Sequence, residues 1–156
     1  MHALVHDDAL RGFLRWRCQQ VTSLVADIRD AVRPDVTVHV IPSVQANPVR
    51  SWVEGSDLEA LSRACDGLEV CLYGRDTQAL LARFEDIREI VPADRPLRAV
   101  LRPAPCDFTD AGPFVAQVDE LSRRGVRDFA FYNFGHLRRE NLNWIHQALA
   151  GLPVPR

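Results

Sequence analysis

Polar and aromatic side chains follow each of four apolar, β-branched runs in this sequence. Trp52 follows the first run, Tyr73 the second and Tyr132 the fourth. Flat aromatic rings can stack on the apolar face of a sugar, while amide, guanidinium and carboxylate groups bond its hydroxyls inside a mostly apolar pocket. These residue types predict a site for a small-molecule ligand, a sugar or similar polyol. The candidate ligand-binding residues are Trp52, Tyr73, Arg75, Arg102, Tyr132 and Asn133.

Two further residues could move protons in such a site. Asp107 follows the third run and carries a carboxyl group, and His136 follows the fourth run and carries an imidazole, a group that ordinarily titrates near neutrality. Both are catalytic candidates, with a structural role for Asp107 and a solvent-exposed position for His136 as open alternatives. The nearby Asp76 and Asp110 are predicted to cap helices, because an aspartate placed before a helix accepts hydrogen bonds from its first N–H groups.

The elements that position these residues alternate between strands and helices. Residues 7–34 carry a helical stripe of apolar side chains that ends at Pro34. Four strands then begin at intervals of roughly 30 residues, the length of a strand with its crossover helix. This alternation predicts an α/β protein with a parallel sheet and right-handed crossovers. The strands are predicted over residues 36–41, 68–73, 97–102 and 126–133.

The second helix has its own start signal. Ser56 and Glu59 have the spacing of a capping box, which predicts a helix that begins near Asp57. Gly67 is predicted to end it, because glycine is the preferred residue just past a helix.

Two architectures fit four strand–helix units with a leading helix. One is half of a (β/α)8 barrel, cut after its fourth strand; the alternative is an open doubly wound sheet. An open sheet normally begins with a strand and often carries a glycine-rich phosphate turn, whereas this chain begins with a helix and contains neither G-x-G-x-x-G nor G-x-x-x-x-G-K-[ST]. The half-barrel is therefore the favoured architecture, and no nucleotide cofactor is expected.

Part of the chain resembles a known family. The segments GVRDFAFYNFG (residues 125–135) and ENLNWIH (residues 140–146) resemble the last strand–helix unit of glycoside-hydrolase-like TIM barrels of uncharacterised bacterial type. Residues 68–74 resemble the sixth strand of those barrels. The resemblance implies that the chain is the C-terminal half of such a barrel. The leading helix resembles the helix before their fifth strand through Phe13, Arg17, Val21 and Ile28.

The same resemblance bears on catalysis. Many barrels of this kind place an acid/base at the end of strand 4 and a nucleophilic Glu at the end of strand 7, because glycoside hydrolysis normally uses two carboxyl groups. In this register strand 4 would precede Met1, and residues 103–106 contain no Glu, which leaves Asp107 as the nearest carboxylate. The resemblance thus implies carbohydrate binding, with cleavage doubtful for this chain alone.

Composition excludes several other classes. The 156 residues predict one domain, 1–156, and the apolar fraction of 47% is ordinary for a globular protein. The net charge of −2 provides no basic field for nucleic acid or an anionic membrane. The four cysteines form no C-x-x-C pair, and no metal-binding spacing or signal peptide is visible, so we expect a cytoplasmic protein without a metal or cofactor.

Two other functions remain open at this stage. One is a non-enzymatic half-barrel, either truncated or dimerising, whose role is structural or unknown. A half-barrel leaves sheet edges and apolar surface uncovered, which predicts a homodimer that completes the barrel. An open-sheet regulatory domain that binds a small ligand is the other alternative.

Overall fold

The computed structural model describes residues 7–44 and 52–152. Helices and strands alternate along them, as the apolar periodicity predicts. The α-helices are α1 (Asp8–Ala31), α2 (Leu58–Ala64), α3 (Thr77–Ile90), α4 (Ala111–Arg123) and α5 (Arg139–Ala150). The strands are β1 (His39–Val40), β2 (Gly67–Cys71), β3 (Leu97–Leu101) and β4 (Phe129–Phe131), and a 3-10 helix covers Phe134–His136.

The four strands form one sheet in the order β1-β2-β3-β4. The pairs β1–β2 and β3–β4 are parallel, with His39 opposite Gly67 and Ala99 opposite Phe129. The predicted α/β class and parallel sheet are confirmed. A strand order that follows the chain occurs in the successive units of a (β/α)8 barrel, and it is equally compatible with an open sheet whose strand order does not reverse.

The first strand is much shorter than predicted. Residues 36–41 were expected to be extended, but only His39–Val40 pair with β2. The amide of Val38 instead donates to the side-chain Oδ2 of Asp66 at 2.7 Å, and the side chain of Ile41 is exposed. The β-branched run therefore indicated where a strand lies but not its length, since the amide of Val36 still donates to the Arg33 carbonyl in the turn after α1.

The fourth strand is also shorter than the predicted residues 126–133. Val126 is buried, yet its amide donates to the carbonyl oxygen of Leu121 and so closes the end of α4 rather than entering the sheet. Gly125, at φ 93°, makes the turn between them. Beyond Phe131, Asn133 begins the 3-10 helix.

The second and third strands lie close to their predictions. β2 covers Gly67–Cys71 instead of residues 68–73, and β3 ends one residue early, at Leu101. Gly67 belongs to β2 and does not cap α2, which ends at Ala64. A Cβ at Gly67 would lie 3.0 Å from the imidazole of His39, so glycine at this position leaves room for the His39 side chain.

Four helices begin with an aspartate whose side chain accepts a backbone N–H. Asp76 and Asp110 cap α3 and α4, as predicted, with N–O distances of 3.0 and 3.1 Å. Asp7 caps α1, and Asp57 caps α2. The capping box predicted from Ser56 is wrong, because the Ser56 hydroxyl accepts from the Ser43 amide instead.

The chain divides into two compact units. The first comprises Met1–Val70 with Asp86–Pro96, and its core includes Leu14, Leu61 and Leu68. The predicted apolar stripe of α1 is only partly buried in this unit, because Leu14, Cys18 and Val25 are buried while several large apolar side chains of the helix are exposed. The exposed members of α1 are Phe13, Trp16, Val21, Leu24 and Ile28.

The second unit comprises Cys71–Glu85 with Leu97–Arg156. Its core centres on the fully buried ring of Phe114, which makes edge contacts with Phe108 and Phe131 at centroid distances of 5.5 and 6.0 Å. In α5, Trp144 and Ala148 are buried while the predicted core residue Leu149 is exposed. The buried face of α5 is thus rotated from the one predicted by its leucines.

All four cysteines are free thiols. Cys18 and Cys65 are buried, Cys71 is half-buried and Cys106 is exposed. Burial raises the pKa of the Cys18 and Cys65 thiols. Within the described residues, none of the helices has the length and apolar character needed to cross a membrane.

Candidate functional site

Three predicted site residues leave the sheet side by side in the second unit. Tyr73 lies two residues beyond β2, while Arg102 and Tyr132 follow β3 and β4 directly. The sheet hydrogen bonds continue to this level, since the amide of Tyr132 donates to the carbonyl of Leu101 at 2.8 Å. The carboxyl ends of neighbouring parallel strands share one edge, which is where ligand sites form in α/β proteins.

Asp107 joins this group through Arg102. The guanidinium Nε lies 2.7 Å from Oδ2 of Asp107, and Nη2 lies 3.1 Å from Oδ1, a bidentate ion pair. The chain turns after Arg102, because the amides of Asp107 and Phe108 both donate to the carbonyl oxygen of Ala104. This turn places the Asp107 carboxylate next to Arg102. The carboxylate side chain is 7% exposed and the guanidinium side chain 32%, so the positive partner faces the solvent.

The same guanidinium lies against an aromatic ring. Its central carbon is 4.7 Å from the ring centroid of Tyr73, within the range of a cation–π contact. The rings of Tyr73 and Tyr132 are 5.9 Å apart and tilted by 34°. We call Tyr73, Arg102, Asp107 and Tyr132 the strand-end cluster.

Two pKa values in the strand-end cluster are shifted. Burial raises the pKa of the Tyr73 phenol well above its usual value, and a hydrogen bond with Cys71 adds to the effect. The hydrogen bonds that Arg102 donates to Asp107 raise the pKa of Arg102. Both shifts favour a neutral phenol beside a charged guanidinium.

Arg75 and Gln117 support the loop that carries Tyr73. Nη2 of Arg75 donates to the carbonyl of Cys106 at 3.3 Å, which ties the β2–α3 loop to the β3–α4 loop. The buried amide of Gln117 donates to the carbonyl of Gly74 and to the hydroxyl of Thr77, both at 3.3 Å. Sequence reasoning missed Gln117, although a polar residue on the same helical face as the apolar side chains of α4 was the available signal.

Asn133 and His136 follow Tyr132 along the chain, Asn133 as the cap of the 3-10 helix and His136 as its last residue. Oδ1 of Asn133 accepts the backbone amide of His136 at 3.1 Å, so this side chain caps the short helix. His136 itself is exposed. The peptide bond between Tyr132 and Asn133 is cis. Asn133 thus has a structural role, as the cap of the 3-10 helix.

Trp52 belongs to the first unit, where its ring is 43% exposed. It lines a surface cavity of about 450 Å³ together with Cys18, Thr22 and Asp57. The carbonyl of Trp52 accepts hydrogen bonds from the Gly55 amide and the Cys18 thiol. Trp52 is therefore a candidate for a site of its own.

Metal binding has no support in residues 7–44 and 52–152, where no three His, Cys, Asp or Glu side chains come together in a way that could hold an ion. No protein-family model, no curated protein and no solved structure matches this chain.

Proposed function

We propose that the strand-end cluster binds a sugar or similar polyol, as a glycoside-hydrolase-like half-barrel would. One observation carries the proposal: two tyrosine rings stand 5.9 Å apart beside a guanidinium that a buried carboxylate holds in place. Aromatic faces and fixed polar donors at the carboxyl end of a parallel sheet are the usual components of such sites.

The chemistry of the individual side chains supports this ligand class. The ring of Tyr132 is 45% exposed, so a ligand could stack on it and remove apolar surface from water. Arg102 uses Nε and Nη2 for Asp107, and its Nη1 makes no hydrogen bond to the described residues. This nitrogen can donate to a ligand hydroxyl without any loss of the ion pair.

Binding is better supported than cleavage. Glycosidases normally place two carboxyl groups roughly 5–10 Å apart around the scissile bond. The strand-end cluster contains one, Asp107, and both of its oxygens accept N–H groups from Arg102. This arrangement suits an orienting role, and hydrolysis would need a second carboxyl group from elsewhere.

Ligand-observed NMR with a panel of mono- and disaccharides tests the proposal. We expect binding to the parent chain and about a fivefold loss of affinity or more in Tyr132→Ala, because one stacking surface is worth roughly 1 kcal/mol or more. Trp16→Ala is the matched control, since Trp16 is an exposed aromatic residue on α1 in the first unit.

This experiment distinguishes the strand-end cluster from the cavity beside Trp52 as the binding site. Loss of binding in Tyr132→Ala with full binding in Trp52→Ala supports the strand-end cluster. The reverse pattern would reject it in favour of the cavity beside Trp52, and absence of saccharide binding throughout would reject the proposed function.

A second candidate is a homodimer that completes a barrel without enzymatic activity. The exposed apolar side chains of α1 favour it, because Trp16 and Leu24 are 53% and 59% exposed on one helix. β1 and β4, which end the strand order, are the edges that a second copy would pair. Light scattering on a sizing column should then give twice the chain mass, and Leu24→Lys should give a monomer. A parent chain that stays monomeric at all concentrations would remove this candidate.

The cytoplasm is the proposed compartment. Four free thiols, one of them exposed at Cys106, are typical of a protein kept in a reducing environment.

A further inference from the structure

The charge of Arg102 is balanced inside the protein. Its guanidinium is bonded through two nitrogens to Asp107, whose side chain is only 7% exposed. A ligand at the two tyrosine rings therefore meets an N–H donor whose positive charge has a negative charge directly behind it. The ion pair contributes hydrogen-bond direction but little net attraction for an anion.

Other charges near the strand-end cluster do not change this balance greatly. Arg75 is exposed, so water and salt screen its charge. Asp76 is exposed and its carboxylate accepts the Ala79 amide at the start of α3. These two neighbours carry opposite charges, which leaves the Arg102–Asp107 pair to decide the local charge at the Tyr73 ring.

We infer that Asp107 is a specificity-determining residue that makes the site select uncharged sugars over acidic ones. This inference rests on the proposed function. Attraction between Arg102 and a ligand carboxylate would be offset by repulsion from Asp107, whereas a hydroxyl group gains the hydrogen bond without this offset. An uncompensated guanidinium at the same place would instead prefer a uronate, whose planar carboxylate it can bind through two nitrogens.

The test compares two sugars that share one ring and differ in charge: methyl glucoside and methyl glucuronide. Their affinities are measured by calorimetry or NMR at low salt, for the parent chain, Asp107→Asn and Asp110→Asn. The parent chain should favour methyl glucoside. In Asp107→Asn the affinity ratio should move toward the glucuronide on the order of tenfold, the effect of one charge pair near a protein surface.

Asp110→Asn is the matched control. It removes one negative charge from the same β3–α4 loop, but its side chain caps α4 and asparagine caps equally well. The affinity ratio in this variant should stay at the parent value. An equal shift in both variants would show that net charge, rather than the contact with Arg102, sets the preference, and would overturn the inference.

Arg102→Met provides an independent reading if Asp107→Asn does not fold. It leaves the carboxylate without its partner, so the glucuronide should lose affinity more than methyl glucoside does. An unchanged ratio in Arg102→Met, or in a folded Asp107→Asn, would overturn the inference while sugar binding itself stands. Failure of both sugars and of the wider panel to bind the parent chain would overturn the proposed function first.

Discussion

The side-chain amide of Gln117 in α4 donates to the carbonyl oxygen of Gly74, in the loop that carries Tyr73 and Arg75. The same nitrogen lies 3.3 Å from the hydroxyl of Thr77, the first residue of α3. Gln117 is 1% exposed, so water does not compete for these bonds. One buried side chain thus fixes the point where the chain leaves the sheet and enters the next helix.

Gln117→Leu should lower the free energy of unfolding by about 1–3 kcal/mol, because it leaves the Gly74 carbonyl without its buried donor. Urea denaturation followed by circular dichroism measures the effect. Gln147→Leu is the control, since Gln147 is exposed on α5 and should change stability by less than about 0.5 kcal/mol. Similar losses in the two variants would contradict the role given to Gln117.

The burial of Tyr73 predicts late ionisation. The chain has two tyrosines, so Tyr132→Phe leaves Tyr73 as the single phenol. Burial raises its pKa above the ordinary 10.0, which means that the folded protein prefers the neutral form and loses this stabilisation as the pH rises beyond that value. Absorbance at 295 nm should therefore rise only above pH 10, later than in free N-acetyltyrosinamide. A midpoint at or below 10 would contradict the burial of this ring.

The contacts of Asp66 with Val38 and Arg29 predict that the protein becomes less stable in acid. The backbone amide of Val38 and then Arg29 lower the pKa of this carboxyl below its ordinary 3.8. Its stabilisation is therefore fully present above that value and is lost as the pH falls through the lower, folded pKa. The difference in free energy of unfolding between the parent chain and Asp66→Asn should shrink below about pH 4.

The control for that pH series is Asp35→Asn, because Asp35 pairs with Arg33 at an exposed position. Its difference from the parent chain should be small at every pH. A difference for Asp66→Asn that stays constant down to the acid transition would contradict the prediction.

Phe114 predicts the largest single loss of stability among the aromatic residues of the second unit. Phe114→Ala removes a fully buried ring that contacts Phe108 and Phe131, and should cost about 3–5 kcal/mol. Phe134→Ala removes a ring that is 79% exposed and should cost less than about 0.5 kcal/mol. Thermal melts of the two variants compare them directly, and equal melting temperatures would disprove this account of the core.

The alternation of strands and helices could be predicted because its signals are local. Apolar periodicity, Pro34 and the aspartates before α3 and α4 each act within a few residues. The lengths of the strands could not be predicted in this way, because they depend on hydrogen-bond partners far along the chain. Val38 is an example: its amide donates to the side chain of Asp66 and not to a neighbouring strand. No pattern within a few residues of Val38 predicts this contact.

The candidate site was predictable in part for the same reason. Because parallel strands end at one edge of the sheet, the sequence predicted that Tyr73, Arg102 and Tyr132 lie at the same edge. In the structure Tyr73 contacts both Arg102 and Tyr132. The ion pair between Arg102 and Asp107 depends on the turn at Ala104, whose geometry the sequence did not specify. Gln117 was missed because a glutamine within an apolar helix face does not reveal which loop it will bind.

Because an aspartate caps each of four helices, the start of each of these helices depends on residues within its own segment. Each carboxylate accepts a hydrogen bond from a backbone amide only two or three residues away. A segment transferred to another chain together with its aspartate therefore keeps the hydrogen bond that starts the helix. In recombination experiments, crossovers placed just before Asp57, Asp76 or Asp110 would transfer each helix with its own start intact. Crossovers placed one residue later would separate the helix from its cap and should yield fewer folded chimaeras.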